Sequence, residues 1–328
     1  MTWHEWCHSL IIDTYNDMDK EMSAYDKLRK KLIKINADIF KSNIEFGFAS
    51  NAPSANHHYI PKFFINGFLN DNGLLWCYDK LKDKIKMNPQ GSKGVFFEKN
   101  RNSVNINGAI YSFFEDAYTV SDYMFASAIK ILRRENIDQH LFSELLHHFN
   151  VFLNNLYWRN PNVDLLITDI LSSLPNSHIP FYNIAPSKIA SKQLRLEIEP
   201  MILKKNTALL PQQSYYTVSY PAASLCLGDM PLIFRKPAKE IDDLATLPLI
   251  APVSSTKLFV RNVSNKQFWD GTTTLLFNAI LIDYSSRMIV CADKHILEQS
   301  IRTYHNLKKE NMIDYAMIRL FGDDLKKD

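Results

Sequence analysis

His57 and His58, followed by Tyr59 and Pro61, form the densest group of chemistry-bearing residues in the chain. Imidazole changes charge near neutral pH, moves protons and ligates metals. Two imidazoles and a phenol are costly to bury without partners. Pro61 biases Ile60 toward extended backbone, and neighbours in an extended segment point to opposite faces. One histidine is therefore expected to face a site while the other makes a structural hydrogen bond. The residue types do not say which. The plain alternative is a solvated loop with a capping histidine.

Three further positions carry charge in unusual company. Asp229, in Gly228-Asp229-Met230-Pro231, falls between two expected strands. A carboxylate there could orient an imidazole or hold a metal, or bond its own backbone in a turn. Glu115 lies on a helical pattern beside Phe113 and Phe114. Arg159 stands between Trp158 and Asn160-Pro161 at a helix end. An arginine there suits bidentate binding of carboxylate or phosphate, capping of helix carbonyls, or pairing with Glu115. His57, His58, Tyr59, Glu115, Arg159 and Asp229 are thus the candidate catalytic residues. A divalent ion held by His57, His58 and Asp229 is left open, and no other cofactor is indicated.

Other patterns carry less. His4-Glu5-Trp6-Cys7-His8 fits the HExxH form, but almost nothing precedes it to wall a site and no third ligand follows nearby. His147 and His148 adjoin on a helical pattern, so they do not share a face. Arg134 and His140 have a spacing that arises readily by chance. Phosphate-binding glycine loops, GxSxG and the kinase motifs are absent.

The elements needed to position these residues can be read from periodicity. The region 3–43 has apolar residues at helical spacing opposite a lysine-rich side. Pro61 suits the start of a short helix over 62–69. Asn70-Asp71-Asn72-Gly73 signals a turn, with strands expected at 74–78, 85–87 and 94–98. The pattern is helical from 108 to 158, and again at 163–174 and 187–205. Strands are expected at 215–220, 224–227, 232–235, 247–251 and 257–262, with closing helices at 272–284 and 293–307. Segregated runs of this kind indicate an α+β fold, with a small N-terminal hairpin and a mixed or antiparallel C-terminal sheet. Residues 1–47 are expected to form a helical extension and 48–328 a single α+β domain.

Composition sets the class. The chain has 328 residues, 46% of them hydrophobic, enough for one or two sizeable cores. A net charge of +3 neither requires nor excludes a nucleic-acid partner. Cys7, Cys77, Cys226 and Cys291 are widely separated and form no CxxC, so free thiols in a reducing compartment are expected. The N-terminus is polar and acidic where a signal peptide is basic and then apolar. The longest apolar runs are too short to span a bilayer. These features predict a soluble cytoplasmic protein with no membrane partner.

Several spaced motifs together resemble a bacterial and fungal family known as domain of unknown function four-two-three-eight. Its opening His-His-Tyr-x-Pro-x-Phe block is matched by His57, His58, Tyr59, Pro61, Phe63 and Phe68. A following turn and strand are matched by Gly73, Trp76, Tyr78 and Asp79. Glu115, Arg159 and Pro161, then Asp229 and Pro231, correspond to later family positions, as do Pro248, Leu249, Pro252 and Asn278. Gly228 stands where the family has serine. The resemblance implies which residues form the site and leaves the chemistry open.

The leading functional expectation is an intracellular hydrolase, nuclease-like and of a toxin or antiviral-defence type. A histidine would act as base or ligand, Asp229 and Glu115 as its carboxylate partners, and Arg159 would bind phosphate. The alternative is a non-catalytic module for a nucleotide, a small ligand or a protein. The N-terminal helices are the expected place for self-association or a partner protein.

Overall fold

The computed structural model describes residues 56–106, 109–111, 113–134, 139–164, 214–222, 224–236, 243–263 and 270–322. The expected N-terminal helices, the helix at 187–205 and most of that at 163–174 lie outside them, as do Cys7 and the His4–His8 pattern.

Strand β1 (Asn56–His58) leads through Pro61 into the short helix α1 (Lys62–Ile65) and a 3-10 turn at Asn66–Phe68. A hairpin follows, β2 (Trp76–Asp79) and β3 (Lys84–Ile85), then β4 (Phe97–Lys99) and a ribbon of β5 (Val104–Ile106) with β6 (Ala109–Tyr111). Helices α2 (Phe113–Leu132) and α3 (Gln139–Trp158) fill the middle. The last third holds β7 (Tyr215–Ser219), β8 (Leu227–Gly228), β9 (Ile233–Phe234), α4 (Asp243–Thr246), β10 (Leu249–Ser254) and β11 (Lys257–Arg261). It closes with α5 (Gly271–Tyr284), β12 (Met288–Cys291), α6 (Lys294–Lys309) and α7 (Ile313–Phe321). The fold is α+β, and every strand pairing among the described residues is antiparallel.

Two four-stranded sheets form the middle layer, in the orders β3-β2-β12-β8 and β7-β11-β10-β9. Strand alternation divides their side chains between two cores. Cys77, Val290, Leu227, Phe259, Leu249 and Phe234 join Phe125, Ile129, Phe149 and Phe152 of α2 and α3 in the first. Tyr78, Ile289, Cys291, Leu258, Ile250 and Ile233 join Phe277, Ile280, Leu297 and Leu320 of α5, α6 and α7 in the second. The result is helix, sheet, helix. In α5 every residue from Phe277 to Ile282 is buried, as expected of a helix covered on all sides. Its start is capped by Asp270, which accepts from Thr273 N–H at 2.8 Å. Asp293 caps α6 in the same way through Ile296 N–H at 3.0 Å.

The expected turn at 70–73 forms. Asn70 Oδ1 accepts from the N–H groups of Asn72 and Leu74, each at 3.0 Å. Gly73 supplies the positive φ of 72° that the turn needs. Other elements differ from expectation. The third strand of the N-terminal group, β4, leaves the hairpin and pairs with β1, so that His57 stands opposite Glu98. The stretch just before α2 is the β5–β6 ribbon rather than helix; Val104 and Ile106 pair with Tyr111 and Ala109, and β-branched and aromatic residues favour such pairing. Strand β12 and helix α7 were not anticipated.

Candidate functional site

The β1–β4 pairing fixes the two histidines. His57 is 2% exposed, and its Nδ1 accepts the Asn102 N–H at 3.0 Å. Nδ1 therefore carries a lone pair, and the neutral ring holds its proton on Nε2. Asn100, with a φ of 54°, turns the chain so that Arg101 and Asn102 point inward; asparagine tolerates that left-handed backbone. The Asn102 side-chain amide then donates to Glu115 Oε2 at 2.7 Å. The same oxygen lies 3.8 Å from His57 Nδ1. No protein hydrogen bond to Glu115 Oε1 exists among the described residues, and the side chain is 30% exposed.

His58 occupies the other side of the strand, with its ring 5.8 Å from that of Phe97. Burial, reinforced by the nearby charge of Lys62, pulls it down to about 4, so it is neutral at physiological pH. Its Nε2 is buried without a hydrogen-bond partner. The two histidines lie on opposite faces of β1, but the expected division between them is not seen, because His57 both faces Glu115 and accepts the structural hydrogen bond from Asn102. His57 is the one that faces Glu115.

Arg159, 1% exposed, ties α2, α3 and β1 together. Its Nη1 donates to Asp122 at 2.5 Å and its Nη2 to the His58 carbonyl at 3.0 Å. Its guanidinium stacks 4.2 Å above the Tyr118 ring. Glu115, Tyr118 and Asp122 are three and four residues apart in turn, which sets them on one face of α2. Burial pushes the Asp122 carboxyl above its ordinary value, against the pull of Arg159. Arg101 lies beneath, fully buried. It forks onto Asp164 at 2.9 and 3.2 Å, reaches Glu98 at 3.1 Å and donates through Nε to the Arg159 carbonyl at 2.7 Å.

Asp229 begins the link from β8 to β9, which joins the two sheets. Its carboxylate accepts four hydrogen bonds: Ser286 N–H (2.9 Å), Ser286 Oγ–H (3.0 Å), Arg287 N–H (2.8 Å) and Met288 N–H (3.2 Å). Burial raises this carboxyl while those donors pull it back. The Asn160 side chain donates to the Asp229 carbonyl. A Cβ on Gly228 would lie 2.1 Å from Ser285 Oγ, so at this position glycine makes room for the Ser285 hydroxyl. Tyr59 is raised far above its usual range by burial and then by the charge of Asp229.

The six candidate residues are not joined in one network: His57 and Glu115 meet at 3.8 Å, Arg159 reaches β1 only through the His58 carbonyl, the Tyr59 ring packs in the first core, and the Asp229 carboxylate serves the 286–288 turn. Arg159 and Asp229 are committed to protein partners, which removes the phosphate-binding part expected of Arg159. Among the described residues, no group of three or more His, Cys, Asp or Glu is disposed to hold a metal ion, and His57, His58 and Asp229 do not make one. His57 Nδ1 is occupied by Asn102, and the Asp229 oxygens by the 286–288 turn. Sequence reasoning missed Arg101, Asn102, Asp122, Asn160 and Asp164. The one available signal was Asp122, on the helical face of Glu115. Asn278, also matched in the sequence, brackets an extended segment instead: its Oδ1 accepts from Cys226 N–H at 3.0 Å and its amide donates to the Ser224 carbonyl at 2.9 Å.

Residues 56–295 match the family described as "Protein of unknown function (DUF4238)". No curated protein and no solved structure matches the chain.

Proposed function

The chain belongs to the DUF4238 family, and from that premise we propose that it is a hydrolase whose water-activating group is Glu115, acting on the phosphodiester bonds of nucleic acid. The single observation that carries this reading is the state of the Glu115 carboxylate. One oxygen is pinned by Asn102 beside His57, while the other has no hydrogen-bond partner among the described residues, on a side chain 30% exposed. A general base needs that combination of fixed orientation and a free lone pair. His57 is the positioning residue: its Nδ1 lone pair is already used, so it does not serve as the base itself. Arg101 and Arg159 supply buried positive charge behind the carboxylates. The phosphate-contacting part falls to Lys62, an exposed cation whose charge already reaches His58.

The cytoplasmic setting belongs to the same proposal and is supported by the free thiols of Cys77, Cys226 and Cys291. A toxin or antiviral-defence effector is its biological extension. Among the described residues no helix is long and apolar enough to cross a membrane. The second reading, a non-catalytic module for a nucleotide or small ligand, is favoured by the pairing of Arg159 with Asp122 and of Asp229 with the 286–288 turn, which leaves neither charge open for catalysis. The two are separated by incubating the protein with DNA and RNA, with Mg²⁺, Mn²⁺, Zn²⁺ or chelator. The hydrolase reading expects cleavage that Lys62→Glu weakens in a salt-dependent manner. Binding of the same nucleic acids without cleavage supports the module.

A further inference from the structure

Far from this network in the sheet order, β3 is the outer strand of its sheet. Its partner is β2, and no strand among the described residues covers its other side. Lys86 N–H donates to the Cys77 carbonyl across the hairpin at 2.8 Å. Successive residues of a strand turn their amides to opposite sides, so Ile85 directs its N–H and C=O outward. Beside this edge is a groove of about 360 Å³. Tyr78, Asp83 and Ile85 line it from the hairpin, and Glu298, Ile301 and Arg302 from α6. Leu81 is 75% exposed and Met87 84% exposed. Lysines on an edge ordinarily protect it from pairing. That explains Lys84, but not two large apolar side chains left in water beside it.

The charges around the groove are unbalanced. Asp83 already accepts from Tyr78 Oη–H at 2.6 Å and pairs with His305 at 3.1 Å. Glu298 is 3.6 Å from Lys294. Lys84, Lys86 and Arg302 have no ion-pair partner among the described residues. We propose that the open edge of β3 and its groove bind an acidic, extended peptide segment of a partner protein, added as a strand beside Ile85 with apolar side chains seated over Tyr78, Ile85 and Ile301. Main-chain bonds to the outward N–H and C=O of Ile85 supply affinity, and alternate side chains entering the groove supply selectivity. The lysines select an acidic partner and oppose pairing with a second copy, which would bring like charges together. The apolar lining from Ile85 and Ile301 and the outward main chain of Ile85 fit a peptide better than a nucleic-acid strand, which offers no amide ladder.

The test titrates the full chain with a short synthetic peptide alternating glutamate and valine. A lysine–valine counterpart and single-stranded polythymidine serve as comparisons. Binding is read by fluorescence anisotropy, and its place by amide exchange. The acidic peptide is expected to bind and to slow exchange at Ile85. Its affinity should fall roughly tenfold or more in the Lys84→Glu, Lys86→Glu double variant, and also in Met87→Lys, which alters a side chain that supports nothing in the fold. Any of four results overturns the proposal: no protection at Ile85 with millimolar acidic peptide, equal binding of the lysine peptide, tighter binding of polythymidine at this edge, or affinity unchanged by charge reversal.

Discussion

Burial sets the charge of His58, and that makes stability depend on pH. In the unfolded chain the ring titrates near 6.5; in the fold it is held at about 4. Between these values the unfolded chain takes up a proton that the fold refuses. The stabilisation from a neutral His58 is therefore complete above pH 6.5 and is lost as pH falls toward 4, by about 3 kcal/mol. Urea midpoints measured across that range should fall toward acid in the wild type and fall less in His58→Gln. Parallel curves would show that His58 does not titrate in this way. Asp229 carries a second residue-scale expectation. Its carboxylate is the common acceptor of the 286–288 turn, and Asp229→Asn turns an amide NH₂ toward backbone donors. The loss should be roughly 3 kcal/mol, read as a lower melting temperature. The part played by the two histidines was partly legible, because alternation along an extended segment is a property of the backbone. The loss of the base role by His57 was not legible: it depends on Asn102, forty-five residues away in sequence, delivered by the left-handed backbone at Asn100.

At the scale of elements, the network depends on the register between α2 and the end of α3. Glu115, Tyr118 and Asp122 share a helix face, and Arg159 closes against that face. Removing the guanidinium in Arg159→Ala leaves Asp122 buried without its counter-charge, and a loss of about 3–5 kcal/mol is expected. The double variant Arg159→Met, Asp122→Leu should recover much of that loss, because it leaves no orphaned charge. A double-mutant cycle in which the two losses simply add would mean that the pair is not coupled. Long periodic elements were legible in the sequence: α2 and α3 fall within the expected helical stretch, and α5 and α6 match the expected closing helices to within two residues at each end. Short ones were not. Strand β12 has four residues, and it is a strand because β2 and β8 flank it; nothing local distinguishes it from a buried turn. The β5–β6 ribbon was hidden by apolar residues that continue into the helical pattern of α2.

For the whole molecule, the two sheets share both cores, and the site lies where the β1–β4 ribbon meets α2 and α3 rather than in the sheets themselves. The link through Asp229 and Asn160 ties that corner to the joint between the sheets. Damage to Asp229 or Arg159 should therefore reduce stability and activity together, and neither change alone identifies the reacting group. Glu115 separates the two effects, because its outer oxygen accepts no hydrogen bond from the described residues. The most direct measurement of the proposed hydrolase is single-turnover cleavage of DNA and RNA by the wild type and by Glu115→Gln, with melting temperatures taken in parallel. The amide keeps the hydrogen bond from Asn102 and removes the base. Turnover lower by a factor on the order of 10²–10⁴ at unchanged melting temperature is the predicted result. Cleavage by Glu115→Gln at the wild-type rate would contradict the account.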